Sequence, residues 1–292
     1  MKRENISFLT ARFCLCILLL SFAGILNRAN AQYPTSKSAG IAGEAVVFIA
    51  AKFRLPGLVA GKYETRYATG FLVSDQKKIY LVTTKHAIQN TVLGQQSGLL
   101  CDSLFISAST AARLNSIKYN AEPDLRQNRG DYICSDDPVD LAILSLNSRR
   151  FIALLTSMRK NGRKPIPLSA FRTAQENKPI DTMYHAGYMV YQHPELGLAY
   201  VRTGAWSKWG VYDRKETKTS FLTQIRLPLA SSGSPVITSE KLAGVIITGN
   251  EDEKVLDEPN FVNQGTVIKF SVLSVLLRKL QSMENKQISK PN

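Results

Sequence analysis

Short apolar runs recur along the chain from residue 44 onward, and most are the length of a β-strand. Segments 44–49, 69–73, 79–83 and 104–107 come first; 141–144, 183–190, 199–202, 221–225, 235–237, 244–247 and 266–270 follow. They are rich in Val, Ile, Phe and Tyr, and Gly, Pro, Asn and Asp punctuate them, which is the pattern of strands joined by turns. One stretch differs. Residues 271–282 repeat apolar side chains at helical spacing and predict a C-terminal helix docked by one face, with Ser271 as its cap. The polar residues 283–292 after it predict a flexible tail. Residues 115–139 read as a long surface loop and 148–180 as a basic, irregular connection. Strands without helices between them exclude the βαβ rhythm of a parallel sheet and predict an all-β barrel or sandwich.

The start of the chain has another character. Lys2, Arg3 and Arg12 precede an apolar run over 13–26, and Ala29-Asn-Ala31 follows as a small-x-small site. This predicts a secretory signal peptide over 1–31, cleaved before Gln32, and a secreted or periplasmic location. The run is short for a membrane span, so no transmembrane segment is expected after cleavage. The composition of the full chain, 44% hydrophobic, 21% charged and 9% aromatic, is that of a globular protein and excludes wholesale disorder, collagen and coiled coil. Without Lys2, Arg3, Glu4, Arg12 and Arg28 the net charge falls from +14 to +11. That excess suits an anionic neighbour or simply keeps the surface soluble. No dense Lys/Arg run interleaved with aromatics occurs, so nucleic acid is not an expected partner.

Cleavage of the leader removes Cys14 and Cys16 and leaves Cys101 and Cys134. In an oxidising compartment they either form one disulfide or stay as two thiols, and the sequence does not choose. There is no CxxC pair and no His-rich cluster, so no metal site and no cofactor are expected.

Three places carry candidate chemistry. His86 follows an apolar strand, where an imidazole aimed into a cleft is a candidate general base; taken alone, it reads more readily as a structural or surface histidine. Asp140 enters the apolar run 141–144. A carboxylate there needs a partner, and one bonded to a histidine ring would fix its tautomer; capping a turn is the plainer use. Ser232 lies in Ala230-Ser-Ser-Gly-Ser-Pro-Val236, a tight turn whose backbone N–H groups can converge on an oxyanion, or a loop without chemistry. His185 and His193 read as structural or loop residues.

Taken in order along an all-β chain, His, Asp and Ser resemble the trypsin-like (chymotrypsin-fold) serine peptidases of bacterial type. Thr69-Gly-Phe-Leu-Val73 is similar to the family's T-G-F-(L/V) strand, Leu81-Val-Thr-Thr-Lys-His86 to L-T-A-x-H, Asp140-Leu-Ala-Ile-Leu144 to D-(L/I)-A-(V/L)-L, and Ser232-Gly-Ser-Pro-Val236 to S-G-(G/S)-P-V. The resemblance covers about 44–282 and implies two six-stranded antiparallel β-barrels with a C-terminal helix. The domain would span 32–282, with a first barrel about 44–147, a second about 180–270, and the helix 271–282. It further implies a monomeric serine endopeptidase acting on protein or peptide. His86, Asp140 and Ser232 would be its triad, the N–H groups of Ala230 and Ser232 its oxyanion hole, and Ile247, Thr248, Gly249 and Gly265 its substrate pocket. Two departures stand out. Ala230 occupies a position where the family usually has Gly, and Ser231 stands where activated zymogens have Asp. The first keeps a second reading open, a weakly catalytic or inactive protease-like protein that binds at an anionic surface.

Overall fold

The structure, a computed structural model, describes residues 37–53, 64–90, 99–101, 103–107, 117–119, 132–136, 138–173, 183–192, 199–207, 217–223, 230–249 and 265–288. The expected leader, the segment before residue 37, His193 and residues 289–292 lie outside them. The rest of the fold belongs to one compact unit, Ser36–Asn292.

Chain order runs α1 (Lys37–Ala45), β1 (Val46–Phe53), β2 (Glu64–Asp75), β3 (Lys78–Thr83), the single turn α2 (Lys85–Ile88), β4 (Gln89–Asn90), β5 (Leu99–Leu100), β6 (Ser103–Ser107), β7 (Ile117–Tyr119), β8 (Tyr132–Cys134) and β9 (Ala142–Ser145). A second set follows: α3 (Ile152–Lys160), β10 (Ile166–Pro167), β11 (Tyr184–Gln192), β12 (Ala199–Ser207), β13 (Ser220–Thr223), β14 (Pro235–Thr238), β15 (Lys241–Gly249), β16 (Gly265–Lys269) and α4 (Phe270–Ile288). Eight strands form one sheet in the order β7-β6-β1-β2-β3-β9-β8, with β10 beside β2; six form another, β12-β11-β14-β15-β16-β13. The fold is therefore mostly β-sheet with a C-terminal helix. Among the described residues neither set of strands closes on itself.

The period-two alternation of the first sheet explains how it is covered on both faces. Val46, Phe48 and Ala50 of β1, Phe71 and Val73 of β2, and Tyr80 and Val82 of β3 point into a core shared with Tyr188, Ile237 and Val245 of the second sheet and with Leu273, Leu276, Leu277 and Leu280 of α4. The intervening Val47, Ile49, Ala51, Leu72 and Leu81 point the other way, onto Phe151, Leu154 and Met158. The second sheet likewise has a rear cluster, Met183, Phe221, Val236, Ala243, Ile246 and Val267. Strands buried on both faces read as continuous apolar runs, which is why they stood out in the sequence.

Several elements differ from the expectation. The stretch 115–139, expected as a surface loop, holds β7 and β8, which pair at the two ends of the first sheet. Residues 37–45 are helical where a strand was expected from 44; the buried face of α1 is Ser38, Ala39, Ala42 and Ala45, too small to mark an apolar period. The connection expected to be irregular holds α3, whose buried residues are only Leu154 and Met158. And α4 runs to Ile288, six residues past the expected end at 282, so the tail begins later. Gln281 Nε2 donates to Asp75 (2.8 Å) within the expected span, and beyond it Glu284 accepts from Lys78 Nζ (2.9 Å) and Tyr80 Oη (3.2 Å). Of the two states left open for the cysteines, the structure has two thiols. Cys101 is buried, and Cys134 shares a 2.5 Å hydrogen bond with the Tyr132 hydroxyl.

Candidate active site

Antiparallel register brings His86 and Asp140 together. Strands β3 and β9 pair Thr83 with Ala142, so the residues after Thr83 and those before Ala142 emerge at the same end of the sheet. Thr84 is extended (φ −82°, ψ 151°), and the chain then turns once as α2, which carries His86. On the other side, the Ser135 hydroxyl knits the approach to β9. It donates to the Val139 carbonyl (2.6 Å) and accepts from the Leu141 N–H (3.1 Å). Asp140 is left between these anchors with both carboxylate oxygens engaged. Oδ1 accepts the backbone N–H of His86 at 2.8 Å, and Oδ2 meets His86 Nδ1 at 2.5 Å. The side chain of Asp140 is 24% exposed and that of His86 40%, so the carboxylate sits behind the ring and the ring's other edge is open. That edge, Nε2, lies 3.5 Å from the Thr84 hydroxyl. A carboxylate bonded to Nδ1 leaves Nε2 as the basic nitrogen.

Ser232 arrives from the second sheet. It lies in the turn before β14, where the Ser234 N–H donates to the Ser231 carbonyl (3.0 Å). The turn is fastened to β15 by Gly233 N–H to Ile246 O (2.7 Å) and Ile246 N–H to Ser234 O (2.9 Å), and to β2 by Thr69 N–H to Ser232 O (2.9 Å). Gly233 has φ +90°, and a Cβ there would run into the Thr69 carbonyl and stand 2.8 Å from Thr83 Oγ1. Glycine is required at this one position both for its conformation and for its close approach. The turn thus rests on Thr69 and Thr83, and His86 follows Thr83 by three residues. Ser232 is half-buried. Its link to this corner runs through the backbone; its hydroxyl is not hydrogen-bonded to the imidazole.

Ala230 is the unusual member. It is buried, with φ +72°, the left-handed region that an L side chain enters at roughly 1–2 kcal/mol. Its carbonyl accepts the Thr69 hydroxyl at 2.8 Å, a bond worth about 1 kcal/mol net, comparable to the strain it holds in place. The expected pocket residues lie at one end of two neighbouring strands. Ile247, Thr248 and Gly249 end β15, Gly265 opens β16 directly opposite Gly249, and the register shifts between Ile246 and Thr248, so Ile247 sits in a bulge. His185 is a buried residue of β11. Among the described residues no group of three His, Cys, Asp or Glu side chains is arranged to hold a metal.

In the sequence Thr69 is one residue of a strand; its signal is a hydroxyl set in the run Ala68-Thr-Gly-Phe-Leu72, where a buried polar group needs a partner.

Residues 68–245, more than half of the chain, match the family model described as a trypsin-like peptidase domain. Among solved structures, a thermostable serine protease, AL20, from an extremophilic microorganism matches with 12% identity and a TM-score of 0.47, over 86% of this chain and 100% of its own. No curated protein matches.

Proposed function

Because the chain belongs to the trypsin-like peptidase domain family, we propose that it is a serine endopeptidase, secreted or periplasmic, acting as a monomer on protein or peptide without a cofactor. In this reading the two sheets are the walls of two six-stranded barrels with the cleft between them. His86 Nε2 takes the proton of the Ser232 hydroxyl as Oγ attacks the scissile carbonyl. Asp140, bonded to Nδ1, holds the tautomer and stabilises the imidazolium. The N–H groups of Ala230 and Ser232 receive the negative charge that develops on the carbonyl oxygen. His86 then passes its proton to the leaving amine, an acyl group remains on Ser232, and water, deprotonated by His86, removes it. Ile247, Thr248, Gly249 and Gly265 line the pocket for the side chain next to the cleaved bond.

The observation that carries this reading is the double engagement of His86 by Asp140, ring and backbone at once. A turn-capping carboxylate has no need of the ring nitrogen. The test is digestion of a peptide library by residues 32–292, which should release fragments sharing a side-chain preference at the cut. Intact peptides in the presence of folded protein would favour the second reading, a protease-like protein that binds an anionic surface. The left-handed alanine at 230 and the charge of +11 outside the leader speak for it, and its mark is salt-sensitive binding to anionic vesicles.

A further inference from the structure

We infer that Thr69 is the positioning residue of the oxyanion hole: from the first sheet, its hydroxyl holds Ala230 in the left-handed conformation that aims the Ala230 N–H. The inference rests on the reading that Ala230 donates to the oxyanion.

Thr69 is fully buried, and every polar group it has is used. Its N–H donates to Ser232 O (2.9 Å), and its carbonyl accepts from Thr83 Oγ1 (3.0 Å). Its hydroxyl accepts from the Tyr188 N–H (2.9 Å) and donates to Ala230 O (2.8 Å). The direction of that last bond is fixed. The Tyr188 N–H occupies the oxygen's lone-pair side, so the single hydroxyl proton is left for Ala230. One side chain of β2 therefore spans to two segments of the other sheet, β11 and the Ser232 turn. Two glycines make room for it. A Cβ on Gly187 would lie 3.1 Å from Thr69 Oγ1, and one on Gly233 would meet its carbonyl.

Ala230 needs such a restraint. At φ +72° an alanine is disfavoured, and rotation about that bond swings the N–H relative to the carbonyl. Thr69 pins the turn on both sides of Ser231, at Ala230 O through its hydroxyl and at Ser232 O through its N–H. With the hydroxyl gone, Ala230 is free to return to negative φ, and its N–H leaves the cleft. A glycine at 230 would not need the anchor, because it occupies positive φ without penalty.

The test is a double-mutant cycle read by turnover and by backbone conformation. Thr69→Val should lower kcat about 10²-fold with KM within about threefold, the signature of a lost transition-state donor. Thr69→Ser should keep kcat within about fivefold of wild type. In an Ala230→Gly background the same Thr69→Val change should cost less than about fivefold, a non-additivity that a merely structural threonine does not produce. Carbon shifts of labelled Ala230 should show the left-handed conformation in wild type and Thr69→Ser and lose it in Thr69→Val. A folded Thr69→Val protein that keeps the left-handed signature, or an equal loss of kcat in both backgrounds, overturns the inference. Should Thr69→Val alone not fold, Thr69→Val/Ala230→Gly compared with Ala230→Gly decides in the same way. If wild type cleaves no peptide yet the Ala230 signature disappears in Thr69→Val, the peptidase reading fails while the conformational role of Thr69 stands.

Discussion

The two halves of the candidate site are built by different means. His86 and Asp140 flank one sheet, just after β3 and just before its antiparallel neighbour β9, and their contact follows from the Thr83–Ala142 register. The Ser232 turn belongs to the other sheet, yet its conformation is held by a residue of the first, Thr69, through bonds to Ala230 and Ser232. The His86–Asp140 half is thus rigid by local pairing, and the Ser232 half by docking. The first should tolerate chemical substitution without unfolding. The second should couple stability to activity.

The largest effect expected is on the two halves together. If the proposed triad operates, Ser232→Ala and His86→Ala should each reduce kcat by about 10⁶-fold, and the double variant should be no slower than either single one, because hydroxyl and imidazole would then act as one unit. Additive losses in a progress-curve assay would mean that the halves work separately. Next comes Asp140→Asn, which keeps the shape and the bond to the His86 N–H but favours the wrong tautomer at Nδ1. A loss of about 10⁴-fold in kcat is expected with an unfolding midpoint close to wild type. A large fall in that midpoint with kcat preserved would make Asp140 a structural cap. Gly233→Ala sharpens the contrast from the other side. Its Cβ meets the Thr69 carbonyl, so it should lower unfolding free energy by roughly 2–4 kcal/mol, seen in chemical denaturation, and reduce activity with it. The smallest effect is with pH. Burial raises the Tyr188 phenol, and the nearby Arg163 guanidinium offsets only part of that. A raised phenol stabilises the fold below the unfolded tyrosine value of about 10 and loses that contribution above it, so denaturation midpoints should fall as pH rises past about 10.

What was legible in the sequence follows the same division. His86 and Asp140 stood out because each flanks a strongly apolar strand, where a polar side chain needs a reason, and Ser232 because it lies in a Ser-Gly-Ser-Pro turn. The strands themselves were legible because burial on both faces makes them continuous apolar runs. Their pairing into an eight-stranded and a six-stranded sheet was not, since strand order depends on contacts far apart in sequence. The short helices were hidden for a local reason. The buried face of α1 is built of alanine and serine, and α3 buries two side chains only. The end of α4 was hidden because, past 282, it is held by Glu284 bonding to Lys78 and Tyr80 of β3 and by the apolar contact of Met283. Ala230 could be suspected from its identity, but its positive φ and the hydroxyl that holds it, 161 residues away, exist only once the sheets meet.

One measurement reaches the centre of this account. Residues 32–292, incubated with a fluorophosphonate and digested for mass spectrometry, should carry a single adduct on the peptide holding Ser232, formed far more slowly in Asp140→Asn and not at all in Ser232→Ala. A folded protein that takes up no label, or one labelled at another residue, would contradict it.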